Sequence, residues 1–168
     1  MKKSNIGIKK ELKISIKKID ILWGVLAYLI SFLILFMLDY FLPINSDKSR
    51  VALKINYLIT NSHYFIFFVL FIYGSFLGPI TEEIVFRGFI WRIFEEKRYN
   101  RFLILFVTSL LFALFHFELS MFLSLFALGV IFGFLRMRTN RLGASIVMHV
   151  ILNTFSMILT AAFYMIYS

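Results

Sequence analysis

The sequence contains no cysteine and few charged residues. The absence of cysteine excludes disulfides, thiolate metal sites and a cysteine nucleophile. Asp, Glu, Lys and Arg make up only 16% of the 168 residues, whereas hydrophobic residues make up 61% and 22 residues are Phe. A soluble domain of this size could not hide that much apolar surface from water. We therefore expect the chain to lie in a lipid bilayer.

The sequence also lacks the ten-residue segments of alternating polarity that are typical of membrane β-barrels. Its apolar runs are continuous and approach the ~20 residues that a helix needs to cross a bilayer. We predict an all-α fold, a polytopic helical membrane protein with about five to six membrane-embedded helices in one bundle. The predicted apolar segments are residues 22–42, 64–80 with an extension to 94, 102–117, 121–135 and 142–166.

The domain organisation predicted is a basic amphipathic segment over residues 1–20, followed by one membrane domain over residues 21–168 with its motif-bearing core at about 74–155. Seven lysines lie in the first segment, and its apolar residues recur at helical spacing, which favours an amphipathic helix on an anionic leaflet. A solvated tail is equally consistent. These apolar residues are Ile8, Leu12, Ile16 and Ile19. Residues 45–62 are expected to form a polar loop.

The basic residues that give the chain its net charge of +9 lie beside the apolar runs. This placement argues against nucleic acid as a partner and indicates membrane topology. Lys and Arg number seven in residues 1–20, five in 87–101 and three in 136–141, against three in 45–62. Basic residues favour the cytoplasmic side. We expect a multi-pass cell-membrane protein with a cytoplasmic amino terminus and a carboxyl terminus outside.

A pair of glutamates lies in the second apolar region. Glu83 and Arg87 are four residues apart, in the order that favours an ion pair on one helix face, and Glu82 is left without such a partner. An unpaired carboxylate in a low-dielectric site is able to take a proton from water. A helix start with Thr81 as N-cap and two acids in the first turn explains the same residues structurally.

Two histidines occur in later apolar segments, each at helical spacing from a second notable residue. Phe112 precedes His116 by four residues, and Asn153 follows His149 by four, so each pair shares a helix face. Any one of these histidines alone is better explained as a core residue bonded to a backbone carbonyl. Together with Glu82 they indicate a polar site inside the bundle.

The predicted depths of these residues in the membrane are similar. At ~1.5 Å per residue from the flanking cytoplasmic charges, Glu82 and His116 lie roughly 20 Å deep, and His149 and Asn153 roughly 12 and 18 Å deep. Residues 64–94 as one straight helix would be about 46 Å long. We therefore expect a break near Gly78-Pro79 that leaves Glu82 buried.

Two glycines four residues apart, Gly129 and Gly133, lie in the fourth apolar segment. This spacing lets another helix approach closely, and we interpret it as a packing seam.

In order, these residues spell Glu-Glu-x-x-x-Arg, Phe-x-x-x-His, a Gly-x-x-x-Gly segment and His-x-x-x-Asn. The pattern resembles the CPBP family of CAAX proteases and bacteriocin-processing enzymes, also called Abi or type II CAAX prenyl endopeptidases, over roughly residues 74–155. The resemblance implies an intramembrane endopeptidase acting on a membrane-associated peptide or protein. It implies that Glu82 and His116 activate water, that His149 and Asn153 stabilise the oxyanion, and that Glu83 and Arg87 support the site.

The resemblance leaves the use of a metal open, because both metalloproteases and metal-independent glutamate proteases are described in the family. A zinc ion would use Glu82, His116 and His149. Other functions are also consistent with the sequence. They are a catalytically silent immunity or scaffold protein, a proton-coupled transporter component, and a serine protease using Ser145, which shares one helix with His149.

Overall fold

A computed structural model describes residues 12–41 and 50–167, and these form a helical bundle without strands. The helices are α1 Lys18–Phe41, α2 Arg50–Thr60, α3 Tyr64–Glu96, α4 Arg101–Phe115, α5 Phe122–Thr139 and α6 Gly143–Tyr167, with a short 3₁₀ turn at Leu119–Met121 before α5. Four of the described helices are long and apolar enough to cross a membrane: α1, α3, the stretch Leu119–Thr139 and Gly143–Ile166. The predicted fold class is confirmed.

The predicted polar loop is wrong over its second half, where α2 forms. Ile55, Leu58 and Ile59 are buried on one side of this helix, and two of them pack against Met157 and Ala161 of α6. Their spacing of three and four residues is that of an amphipathic helix. The many polar residues of the opposite face concealed this pattern. Residues 45–49 lie outside the described part of the chain.

Of the predicted amphipathic segment over residues 1–20, the structure describes residues 12–20. Residues 12 and 13 form a turn, residues 14–17 have no regular secondary structure, and helix begins at Lys18. The backbone N–H of Leu142 donates to the carbonyl of Lys13 at 3.2 Å, so these residues lie against the α5–α6 turn. Tertiary hydrogen bonds thus replace the helical ones here. Residues 1–11 lie outside the described residues.

The predicted break at Gly78-Pro79 is also wrong, because α3 runs through it without interruption. The helix contains two π-helical segments, Tyr73–Leu77 and Ile84–Ile90. A proline ring normally clashes with the carbonyl four residues earlier, and a π turn relieves such a clash by placing an additional residue in the turn. The first π segment ends just before Gly78. The helix therefore accommodates Pro79 by widening rather than by stopping.

Close helix contacts hold the bundle together at small residues. A methyl group at Gly24 of α1 would lie 2.7 Å from Val147 Cγ1 of α6, and one at Gly129 of α5 would lie 3.0 Å from Ser109 Cα of α4. A methyl group at Gly133 would meet Leu105 of α4 and the ring of Trp91. Helices approach this closely only where a side chain is missing.

Candidate active site

Glu82 lies between two imidazole rings that come from different helices. Its Oε2 atom is 3.8 Å from Nε2 of His116, at the end of α4, and 3.7 Å from Nε2 of His149 in α6. This oxygen is buried and has no hydrogen-bond partner. Two imidazoles from two helices thus converge on one carboxylate oxygen of a third helix.

Helix α4 ends immediately before His116. His116 caps the helix, and Phe117 next to it adopts a left-handed conformation with φ of 52°. A left-handed residue just after a helix is a common stop signal. Nδ1 of His116 lies 2.8 Å from the Phe112 carbonyl, which can only accept a hydrogen bond, so Nδ1 carries the proton. In the neutral ring, the free electron pair of Nε2 therefore faces Glu82.

His149 is held from its other side by Glu83. Its Nδ1 atom lies 3.2 Å from Glu83 Oε1, and the same oxygen accepts a hydrogen bond from Arg87 Nη1 at 3.1 Å. The predicted Glu83–Arg87 ion pair is present, and both side chains are fully buried. Consecutive glutamates of α3 therefore contact opposite nitrogens of one imidazole.

Arg87 is fixed by a second set of bonds. Its Nη2 donates to the Gly129 carbonyl of α5 at 2.8 Å. The carbonyl of Arg87 in turn accepts from Nε of Arg136 at 3.1 Å, and Arg136 is buried. Hydrogen bonds thus fasten the second π segment of α3 to α5 from both sides.

Phenylalanine rings enclose this polar cluster. The Phe132 ring stacks on His149 with a centroid distance of 4.4 Å, and the Phe112 ring lies 4.6 Å from the His116 ring. The Arg87 guanidinium lies over the same two phenylalanines, at 4.6 Å from the Phe112 centroid and 5.3 Å from that of Phe132. Such rings fix imidazole orientation and provide a favourable face for the cation.

An apolar cavity of about 460 Å³ reaches this cluster. His116, His149 and Asn153 line it, together with residues of α1 and α5. Asn153 donates from Nδ2 to the Gly74 carbonyl at 3.1 Å, a backbone group of the first π segment. An amide nitrogen carries two protons, so Asn153 retains a second donor.

The donor types of Glu82, His116 and His149 suit zinc. Their arrangement does not, because within the described residues no group of three or more His, Cys, Asp or Glu side chains could hold a metal ion. No step proposed below uses one.

The structure brings Glu82, Glu83, Arg87, Phe112, His116 and His149 into one connected cluster, and it places Asn153 in the wall of the adjoining cavity. Sequence reasoning missed Arg136, which it counted only as a cytoplasmic charge, and Phe132. Both lie on the helix face of Gly129 and Gly133, since they follow these glycines by three residues. That spacing is the signal that could have found them.

The chain matches the family model for type II CAAX prenyl endopeptidases, Rce1-like, over residues 64–155, more than half of its length. It is 37% identical over 91 residues to "Putative membrane peptidase YdiL" of Bacillus subtilis (strain 168), covering 54% of this chain and 37% of that protein. It is 29% identical over 164 residues to "Membrane-embedded CAAX protease MroQ" of Staphylococcus aureus (strain USA300), covering 92% of this chain and 66% of that protein. The chain is thus similar to only part of each relative. No solved structure matches it.

Proposed function

Because this chain belongs to the type II CAAX prenyl endopeptidase, Rce1-like family, we propose that it is an intramembrane endopeptidase that hydrolyses peptide bonds of membrane-associated peptides or proteins. The observation that carries the proposal is the buried Glu82 Oε2, which has no hydrogen bond and lies between two imidazoles. A buried acceptor without a partner is costly, so its persistence favours a chemical role. Processing of a bacteriocin or pheromone precursor, or self-immunity against such a peptide, is the setting that the family resemblance favours.

In the proposed first step, a water molecule binds between Glu82 and His116. Glu82 Oε2 takes one proton of this water while the water oxygen attacks the peptide carbonyl carbon. The unprotonated Nε2 of His116 accepts the second water proton as a hydrogen bond and so orients the nucleophile. A tetrahedral intermediate with a negatively charged oxygen forms.

His149 and Asn153 are proposed to stabilise that oxygen. To donate, His149 needs a proton on Nε2, and its Nδ1 atom lies 3.2 Å from the Glu83 carboxylate. The second amide proton of Asn153 supplies another donor. Collapse of the intermediate breaks the C–N bond, and the proton held by Glu82 passes to the leaving amine. The products are a carboxylic acid and an amine, and transfer of the acid proton to the amine leaves a carboxylate and an ammonium group. Fixed donors in a water-poor site stabilise such an oxyanion strongly.

The test is peptide cleavage by purified Glu82→Gln, Glu82→Ala and His116→Ala variants. We expect each to lower the cleavage rate by roughly 10²–10⁴-fold, because each removes the proposed base or the group that orients the water. The matched control is Glu96→Gln, a glutamate of the same helix that is exposed and paired with Arg92. Full biological activity in folded Glu82→Ala and His116→Ala proteins would overturn the peptidase and favour an immunity or scaffold protein.

The proposed orientation has the amino terminus in the cytoplasm and the carboxyl terminus outside, because most Lys and Arg lie on the side of residues 1–20, 87–101 and 136–141. The chain has no cysteine, so single-cysteine variants report topology directly. Tyr99→Cys, between α3 and α4, should resist a membrane-impermeant thiol reagent in intact cells. Asn61→Cys, between α2 and α3, should react, and the opposite pattern would reverse the orientation.

A further inference from the structure

The first π segment of α3 leaves one backbone carbonyl without either of its regular helical donors. The carbonyl of Gly74 would accept from the N–H of residue 78 in an α-helix and from that of residue 79 in a π-helix. The N–H of Gly78 donates to the Tyr73 carbonyl instead. Residue 79 is proline, which has no N–H. The Gly74 carbonyl therefore depends on a donor from outside its own helix.

Asn153 of α6 supplies this donor. Its Nδ2 atom lies 3.1 Å from the Gly74 oxygen. The two helices approach closely here, because a methyl group at Gly74 would lie 2.7 Å from Sδ of Met157, one turn beyond Asn153. The amide of Asn153 thus takes the place of the N–H that Pro79 lacks. A hydrogen bond that would lie within one helix instead joins two.

A second link between α3 and α6 lies on the other side of Glu82 along the chain. It is the contact of Glu83 Oε1 with His149 Nδ1 at 3.2 Å. A single link would leave α3 free to pivot about His149, whereas the bond from Asn153 fixes the angle of the helix. Oε2 of Glu82 lies 3.7 Å from Nε2 of His149. A displacement of about 1 Å can slow a reaction roughly 10²-fold, so this angle matters for the proposed reaction.

We infer that Asn153 is a positioning residue that fixes α3 against α6 and thereby sets the distance from Glu82 to His149. It acts through the Gly74 carbonyl, which Pro79 leaves without a donor. The inference rests on the proposed peptidase function and adds to the oxyanion role proposed for Asn153. One amide proton is used for the Gly74 carbonyl, and the other remains available to the substrate. The asparagine and the proline are therefore coupled, because an N–H at residue 79 would make the bond from Asn153 dispensable.

The experiment is a double-mutant cycle of Asn153→Ala and Pro79→Ala, with Thr154→Ala as the control. Thr154 is the next residue of α6, and its buried hydroxyl has no hydrogen-bond partner among the described residues. The midpoint temperature of unfolding in detergent is measured for each protein. Asn153→Ala should lower it by about 3 °C more in the wild-type protein than in the Pro79→Ala protein, where the new N–H serves the Gly74 carbonyl. The change caused by Thr154→Ala should be the same in both proteins.

Spin labels report the position of α3 against α6 without any need for cleavage. The chain has no cysteine, so Phe65→Cys on α3 and Ile158→Cys on α6, both at exposed positions, place one label on each helix. Asn153→Ala should shift or broaden the distribution of label distances in double electron-electron resonance, and Pro79→Ala should restore it. For a peptide that the wild-type protein cleaves, Pro79→Ala should also restore roughly tenfold of the rate that Asn153→Ala loses. This recovery should be in kcat rather than in KM.

The outcomes separate failure of this inference from failure of the proposed function. Equal effects of Asn153→Ala with and without Pro79→Ala, on the unfolding midpoint and on the label distances, would overturn the inference. Recovery of stability without recovery of the distances or of kcat would also overturn it, because the bond would then be structural only. If the cycle shows no coupling while Glu82→Gln abolishes cleavage, the peptidase function stands. If no peptide is cleaved but the label distances follow the cycle, the peptidase function fails and the positioning of α3 by Asn153 stands.

Discussion

Two carboxylates in this bundle, those of Asp20 and Glu82, have opposite surroundings. Asp20 of α1 accepts hydrogen bonds from the Lys17 backbone at 2.8 Å and from Arg141 at 2.7 and 3.3 Å. Glu82 Oε2 is buried with no hydrogen bond, and its nearest bases are imidazoles at 3.7 and 3.8 Å. Asp20 thus accepts three hydrogen bonds at one end of the bundle, whereas Oε2 of Glu82 accepts none.

We propose that this difference separates a structural carboxylate from a reactive one. A carboxylate that accepts several hydrogen bonds from fixed donors holds its charge and position, and it has little room for a new proton. A carboxylate with one free oxygen can accept a proton from a bound water. Charge alone does not distinguish the two groups, whereas hydrogen bonding does.

The largest expected effect on stability is that of Asp20→Asn. Removing one partner of a buried ion pair costs roughly 3–5 kcal/mol, and we expect about 3 kcal/mol because the Arg141 side chain keeps 23% exposure to solvent. Heat- or denaturant-induced unfolding in detergent measures this loss of stability. The cleavage rate per folded molecule should stay near that of wild type, which is the opposite of the Glu82→Gln result.

Glu95→Gln is the matched control for Asp20→Asn. Glu95 pairs with Lys13 at 3.5 Å, and both side chains are about one-third exposed, so its loss should cost at most about 1 kcal/mol. If Asp20→Asn abolished cleavage without lowering stability, the division between structural and reactive carboxylates would be wrong.

A smaller effect is expected for Arg136→Gln, which tests whether a buried cation beside the site is structural. The substitution leaves the Arg87 carbonyl without the donor at 3.1 Å, and a buried acceptor that loses its partner costs about 1–3 kcal/mol. The midpoint temperature of thermal unfolding should fall accordingly, and Arg136→Lys should restore part of the lost stability. The exposed Arg138→Gln is the control, with an expected change within about 0.5 kcal/mol. A stability equal to wild type would show that the carbonyl finds another donor.

The smallest expected effect is that of metal removal. Cleavage should be unchanged when purified protein is treated with a strong chelator, because the three candidate ligands are not arranged to hold a metal ion. Elemental analysis of the treated protein verifies that metal is absent. If the chelator abolished cleavage and added zinc restored it, Glu82 would instead be assigned to metal binding. Its contrast with Asp20 would then not hold.

Hydropathy and helical spacing predicted the membrane helices and the convergence of Glu82, His116 and His149, because both depend on one-dimensional periodicity. They could not predict the interactions that depend on three-dimensional packing. Arg136 was counted as a loop charge although it is buried against Arg87, and Asp20 was not recognised as the partner of Arg141 across 121 residues. Helix α2 was missed because the polar residues on its opposite face concealed the helical spacing of Ile55, Leu58 and Ile59.

The predicted break at Gly78-Pro79 failed for a different reason. Proline usually interrupts a helix. Here the helix changes locally to the π type, which relieves the steric conflict, and no residue pattern predicts this change. The predicted depth of Glu82 in the bundle depended on this break. The glutamate instead reaches the histidines within a continuous helix.

The π segments of α3 have a consequence for insertions and deletions. A π turn contains one residue more than the α turn it replaces, so Ile84–Ile90 can lose one residue and remain helical. The deletion would convert the π turn into an α turn, and the residues beyond it would keep their helix faces because the π turn had absorbed the additional residue. Trp91 would keep its place near Gly133, and Glu82 and Glu83 would keep theirs. A deletion in an α-helical part of α3 would instead rotate the residues beyond it by about 100°. The π segments therefore mark the positions where this helix tolerates the loss of one residue.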